Sequence, residues 1–140
     1  MNRQDLEYIQ TLNDMIEGAL LHIDYIKSKA YPSAIRYDDT GASRPAPENK
    51  LEQVFCELFD EERRVNRLID KRHDLIVSAT QTIMAACPKP AERHVLYLRY
   101  YTNMKWPEIV NHMQKRHNIQ ERQVYRLHYI ALSHFESYNI

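Results

Sequence analysis

Apolar residues recur at Ile9, Leu12, Ile16, Ala19, Ile23, Ile26 and Ala30, alternately three and four positions apart. That is the spacing of one helical face. With Leu6 and Leu20 widening the stripe, it predicts a helix of about seven turns over residues 3 to 30, weakened slightly by Gly18. The stretch YPSAIRYDDTGASRPAPEN then breaks the period with Pro32, Gly41, Pro45 and Pro47, so a linker is expected at about residues 31 to 47. The period returns at Leu51, Phe55, Leu58, Val65, Ile69, Ile76, Ala79, Ile83 and Ala86, predicting a second helix from about Pro47 to Cys87. At ~1.5 Å per residue this helix runs to roughly 60 Å and must pack along something long. The first helix, a second subunit, or both would serve. Glu62 and Arg72 fall on its stripe, and a polar pair inside a seam can set register and partner number.

CPKP at 87 to 90 ends that helix, because the residue before a proline is driven out of helical conformation. A second region begins there. Pro90 suits a first turn, and Val95, Leu96, Leu98 and Tyr101 supply a buried side. The helix stops at Thr102 and Asn103, where asparagine can take a left-handed conformation. Trp106 and Pro107 open another short helix, with Glu108 near its positive end and Ile109, Val110 and Met113 on its apolar face. Asn118, followed three residues later by Glu121, has the spacing of a capping box and predicts a third helix over about residues 119 to 137. Its inward residues are Ile119, Val124, Leu127, Ala131, Leu132 and Phe135; its other face presents Gln120, Arg122, Gln123, Tyr125, Arg126 and Tyr129. Arginine forks onto guanine, glutamine pairs with adenine, and tyrosine can touch phosphate or a thymine methyl. Three short helices of this kind predict a helix-turn-helix, whose last helix enters the major groove. The expected fold class is all-α. Residues 1 to 87 would form a helical hairpin or coiled coil for oligomerisation or partner contact, and residues 88 to 140 a three-helix DNA-binding domain.

The balance of charge sharpens this division. The whole chain has no net charge, with 19 Lys and Arg against 19 Asp and Glu. Residues 88 to 140, however, hold eight basic against four acidic side chains and five of the seven histidines. A basic region beside an acidic one suits a polyanion partner for the former and another task for the latter. Two glycines leave few turns, so long helices are expected. No run approaches the ~18 apolar residues of a membrane span, and MNRQDLEYIQ lacks a signal core, so a soluble intracellular protein with no membrane partner is expected. Cys56 and Cys87 are far apart and read as helix-packing residues.

ERHVLYLRYYTNMKWPEIVNHM and NIQERQVYRLHYIALSHF resemble the C-terminal promoter-reading region of the sigma-70 family. They are closer still to small phage and prophage late transcriptional regulators of the ArpU/RinA-like group. The resemblance covers residues 91 to 135. It implies a transcriptional regulator in the cytoplasm of a bacterial host, with double-stranded DNA, a second copy of the chain and host RNA polymerase as partners. By position, Trp106 and Glu108 match the start of the support helix, and Gln120 stands where serine usually caps the recognition helix. Arg122, Gln123, Tyr125, Arg126 and His128 match its outer residues. Two departures stand out. Five residues, 114 to 118, replace the usual one between the helices, adding roughly one helical turn. Gln120 in place of serine suggests that the cap has moved back to Asn118. The inserted Lys115, Arg116 and His117 are placed to meet phosphate.

Other chemistry finds no support. No glycine-rich phosphate loop and no nucleophile elbow can be drawn, so neither an enzyme nor a cofactor is expected. His112, His117, His128 and His134 lack the spacing and the cysteine partners of a zinc site. The acidic pairs at 38–39 and 61–62 read as solvated surface, and Trp106 as a core anchor. Two rival readings remain: a DNA-packaging recognition subunit resembling a small terminase, and a sigma-like adaptor that binds RNA polymerase without reading DNA.

Overall fold

The computed structural model describes residues 1–30 and 48–138. Two long helices, α1 (Arg3–Ala30) and α2 (Glu48–Ala86), precede three shorter ones, α3 (Pro90–Leu96), α4 (Trp106–His117) and α5 (Glu121–Ser137). A π-helical turn, Tyr97–Tyr101, continues α3. The protein is all-α, with no strand among the described residues. The linker expected at 31 to 47 lies outside those residues.

Two compact units divide inside α1 and α2 rather than at Cys87 and Pro88. One joins Met1–Asp14 to Asp70–Ile140, and the other is Met15–Ile69. In the first, Leu6 and Ile9 of α1 and Ala79 and Ile83 of α2 share one core with Val95, Leu96, Ile109, Met113, Val124, Ala131 and Phe135. The three short helices therefore sit on a base made by the ends of the long ones. A three-helix module of about fifty residues buries too small a fraction of its surface to be robust, and the added layer supplies the missing apolar contact. Glu92, buried in α3, accepts a hydrogen bond from His134 Nδ1 in α5 at 3.1 Å. Burial raises the Cys87 thiol to about 11, with Glu92 adding to the rise and Arg93 opposing it.

Polar residues of α1 tie this unit together. A π-helical turn strains the regular carbonyl ladder, and here the carbonyls find partners on another helix. Gln10 Nε2 donates to the Arg99 carbonyl at 2.8 Å, and Asn13 Nδ2 lies 3.2 and 3.3 Å from those of Tyr100 and Tyr101. Asn13 Oδ1 in turn accepts from Arg72 Nη1 at 3.0 Å. Asn103 has the expected left-handed backbone, φ 56°, and its Nδ2 donates to Asp14 at 2.9 Å.

In the Met15–Ile69 unit, α2 closes on α1 of the same chain through Ala19, Ile23 and Val65, with Leu58 half-buried against them. Several expected packing residues stand outside. Leu20, Phe55 and Ile69 are exposed, as is Cys56. The inward acid is Glu61, whose carboxylate lies 3.3 Å from His22, whereas Glu62 faces solvent. The reason is one of register. The line that meets α1 runs through Leu58, Glu61, Val65, Leu68 and Arg72, at spacings of three and four, and Phe55, Glu62 and Ile69 lie one step around the helix from it.

Candidate nucleic-acid interface

The turn into α5 differs from the sequence expectation. Asn118 does not cap α5; it ends α4 in a left-handed conformation, φ 52° and ψ 47°, with its N–H bonded to the Gln114 carbonyl. The N-cap of α5 is Gln120, whose backbone N–H donates to Gln123 Oε1 at 3.0 Å. Asparagine tolerates the left-handed region better than other non-glycine residues, and once it stops α4 the next residue able to start α5 is two further on. The five residues 114 to 118 thus add one turn to α4, through Lys115, Arg116 and His117, and leave a connection of only three residues.

On α5, Val124, Ala131, Leu132 and Phe135 face the core. Gln120, Arg122, Gln123, Tyr125, Arg126 and Tyr129 are exposed, Tyr129 to 73%. Arg122 and Arg126 flank Gln123 around a shallow open cleft. Neither guanidinium has a hydrogen bond or ion pair within the described residues, so both forks are available to a ligand. Gln123 is less free, because its Oε1 already serves the cap and only its amide N–H groups remain to donate.

The helix behind this face is braced by aromatic contacts. The Trp106 ring, half-buried at the start of α4, lies 5.0 Å from Tyr125 and 4.8 Å edge-on from His128, with the Arg99 guanidinium 4.8 Å from its centroid. His128, expected among the outer residues, turns inward. Its Nε2 is 3.0 Å from the Tyr100 hydroxyl and the two rings stack. Burial, helped by the nearby Arg99 and Arg3 cations, drives its pKa down to about 4 and keeps the imidazole neutral. Helical register explains the reversal: His128 is four residues after Val124 and three before Ala131, both buried.

The inserted basic residues divide. Lys115 and Arg116 are exposed, but His117 is half-buried, its Nε2 2.9 Å from His94 Nδ1. His112 packs edge-on against the same His94 ring at 4.9 Å, and its own buried Nδ1 has no hydrogen-bond partner among the described residues. Burial, with His112, His117 and Arg116 around it, lowers the pKa of His94. Among the described residues no group of three or more His, Cys, Asp or Glu is arranged to hold a metal ion.

Gln10 and Asn13, which hold the π-helical turn, were not expected from the sequence, and Arg72, expected in a register-setting pair with Glu62, instead bonds Asn13. The available signal was polar side chains on or beside an apolar stripe, Asn13 next to Leu12 and Arg72 between Val65 and Ala79. Among the described residues no helix is long and apolar enough to cross a membrane. Comparison of the chain with protein-family models, curated proteins and solved structures finds no match to any of them.

Proposed function

We propose that this protein is a sequence-specific regulator of phage or prophage transcription that acts by binding double-stranded DNA, without catalysis or a cofactor, in the bacterial cytoplasm. The observation that carries the reading is the outer face of α5, where Arg122 and Arg126 are solvent-exposed and without a hydrogen bond or ion pair among the described residues, on a helix braced by Trp106 and His128. Guanidinium forks on such a helix suit guanine edges in the major groove. Tyr125 and Tyr129 beside them suit phosphate or thymine methyl groups. Lys115 and Arg116, on the added turn of α4, suit the sugar-phosphate backbone, which fixes register without carrying sequence information. His117 contributes less to that task than a free side chain would, because its ring is engaged with His94. Homo-oligomers would place two or more such helices on repeated half-sites, and host RNA polymerase would be met by the acidic helical region.

Selection of bound fragments from a pooled bacterial and phage genome tests the reading. A shared motif with half-sites about one helical turn apart is the expected result. Fragments without any motif, together with co-purification of RNA polymerase, would replace DNA reading with the adaptor role. A closed ring of many copies on an enriched phage site would favour packaging.

A further inference from the structure

A stripe of α2 in the Met15–Ile69 unit lies beside the line that packs on α1 and is exposed among the described residues. Phe55, Phe59 and Ile69 are 48, 59 and 37% exposed. With Glu62 and Asn66 they follow one another at intervals of four, three, four and three residues, the repeat of a coiled-coil seam. Two exposed phenylalanines one turn apart are uncommon on a monomer's surface and mark an interaction face.

The charges along the same helix indicate what covers it. Residues 52 to 62 carry Glu52, Glu57, Asp60, Glu61 and Glu62 with no Lys or Arg, and residues 63 to 69 carry Arg63, Arg64 and Arg67 with no acid. The helix changes sign between Glu62 and Arg63. A second copy laid parallel would set like charge on like. Laid antiparallel about a two-fold axis at that junction, each acidic half meets a basic half, Phe59 lies opposite Asn66, and Phe55 falls within about one residue, ~1.5 Å, of the level of Ile69. Self-complementarity of this kind is what an isologous interface requires. The basic half has little to satisfy it internally. Arg63 lies 5.6 Å over the Phe59 ring, Arg64 reaches Glu61 at 3.5 Å, and Arg67 has no partner among the described residues.

We infer that the Phe55, Phe59 and Ile69 stripe is the docking surface for a second copy of this chain, α2 against α2 and antiparallel. The inference rests on the homo-oligomer reading above and not on DNA recognition. Sedimentation equilibrium of the full chain tests it, with Phe55→Glu combined with Phe59→Glu and, separately, Arg63→Glu combined with Arg67→Glu. Circular dichroism checks that each variant remains helical. Both variants should weaken self-association at least about tenfold, as loss of a hydrophobic seam or of charge complementarity implies. Adding Glu57→Arg and Glu62→Arg to the arginine variant should restore it. A spin label on the exposed Cys56, Cys87 being buried, reads direction. The antiparallel pair offsets the labels by ~20 Å along the helix, whereas a parallel pair holds them within about 10 Å. A monomer at every concentration overturns both this surface and the homo-oligomer reading. An oligomer indifferent to the substitutions, or one with adjacent labels, overturns this surface alone and leaves that reading standing.

Discussion

The two compact units use the same helices to different effect. Where the early part of α1 and the late part of α2 meet the three short helices, the core draws on all five and includes Phe135, Leu96 and Met113 with no exposed surface. Among the described residues between Met15 and Ile69 two helices meet, and the buried apolar residues are Ile16, Ala19, Ile23 and Ile26 on α1 and Val65 on α2. Two helices in contact can bury one stripe each, and the flanking apolar residues stay wet until a third element arrives. The first unit obtains that element from its own chain.

Truncation should separate the units most sharply. Phe135→Ala should cost ~3–5 kcal/mol, and Val65→Ala, in the thinner core, about 1–2 kcal/mol. Guanidinium melts of the full chain measure both, and equal losses would erase the distinction. The polar ties come next. Asn13→Ala frees two carbonyls of the π-helical turn and leaves Arg72 without its acceptor, and should cost about 2–3 kcal/mol by the same measurement. A loss below ~0.5 kcal/mol, the range of ordinary surface changes, would mean that the turn holds itself.

Acid should act on the first unit before the second. The folded pKa of His128 is depressed to about 4, so between the unfolded value of ~6.5 and that pH the unfolded chain binds the extra proton. The stabilising contribution is thus fully present above about pH 6.5 and is lost as pH falls through 4. The full shift corresponds to roughly 3 kcal/mol, with His94 adding a loss of the same sign. Urea midpoints at pH 7, 5 and 4 should fall in that order, and His128→Gln should flatten the slope. An unchanged slope would place the acid sensitivity elsewhere.

The sequence disclosed the helices well, because a period of three and four residues survives any choice of partner: α1 and α2 end within a residue of expectation. It disclosed less about which flank of α2 is inside. Phe55 and Leu58 are both apolar and lie close together around the helix, and only the position of α1 decides between them. The start of α5 was misplaced because Asn118 suits two roles, N-cap and left-handed C-cap, and the extra turn of α4 selected the second. His128 was misassigned by carrying over a family position where local register points inward. Arg122, Arg126 and Tyr129 were legible because outward polar positions on an amphipathic helix follow from the inward ones. The part played by α1 was not, since a polar side chain beside its stripe does not say which distant carbonyl it meets.

The smallest energies bear on the central claim, that Arg122 and Arg126 of α5 read bases. Fluorescence anisotropy on a selected site and on a scrambled duplex, for wild type, Arg122→Ala, Arg126→Ala and Lys115→Ala, tests it most directly. Either arginine change should cost ~1–3 kcal/mol on the selected site and little on the scrambled one, while Lys115→Ala weakens both and lowers the salt slope by about one. Equal losses on both duplexes for all three variants, or no binding to either at low salt, would contradict the account.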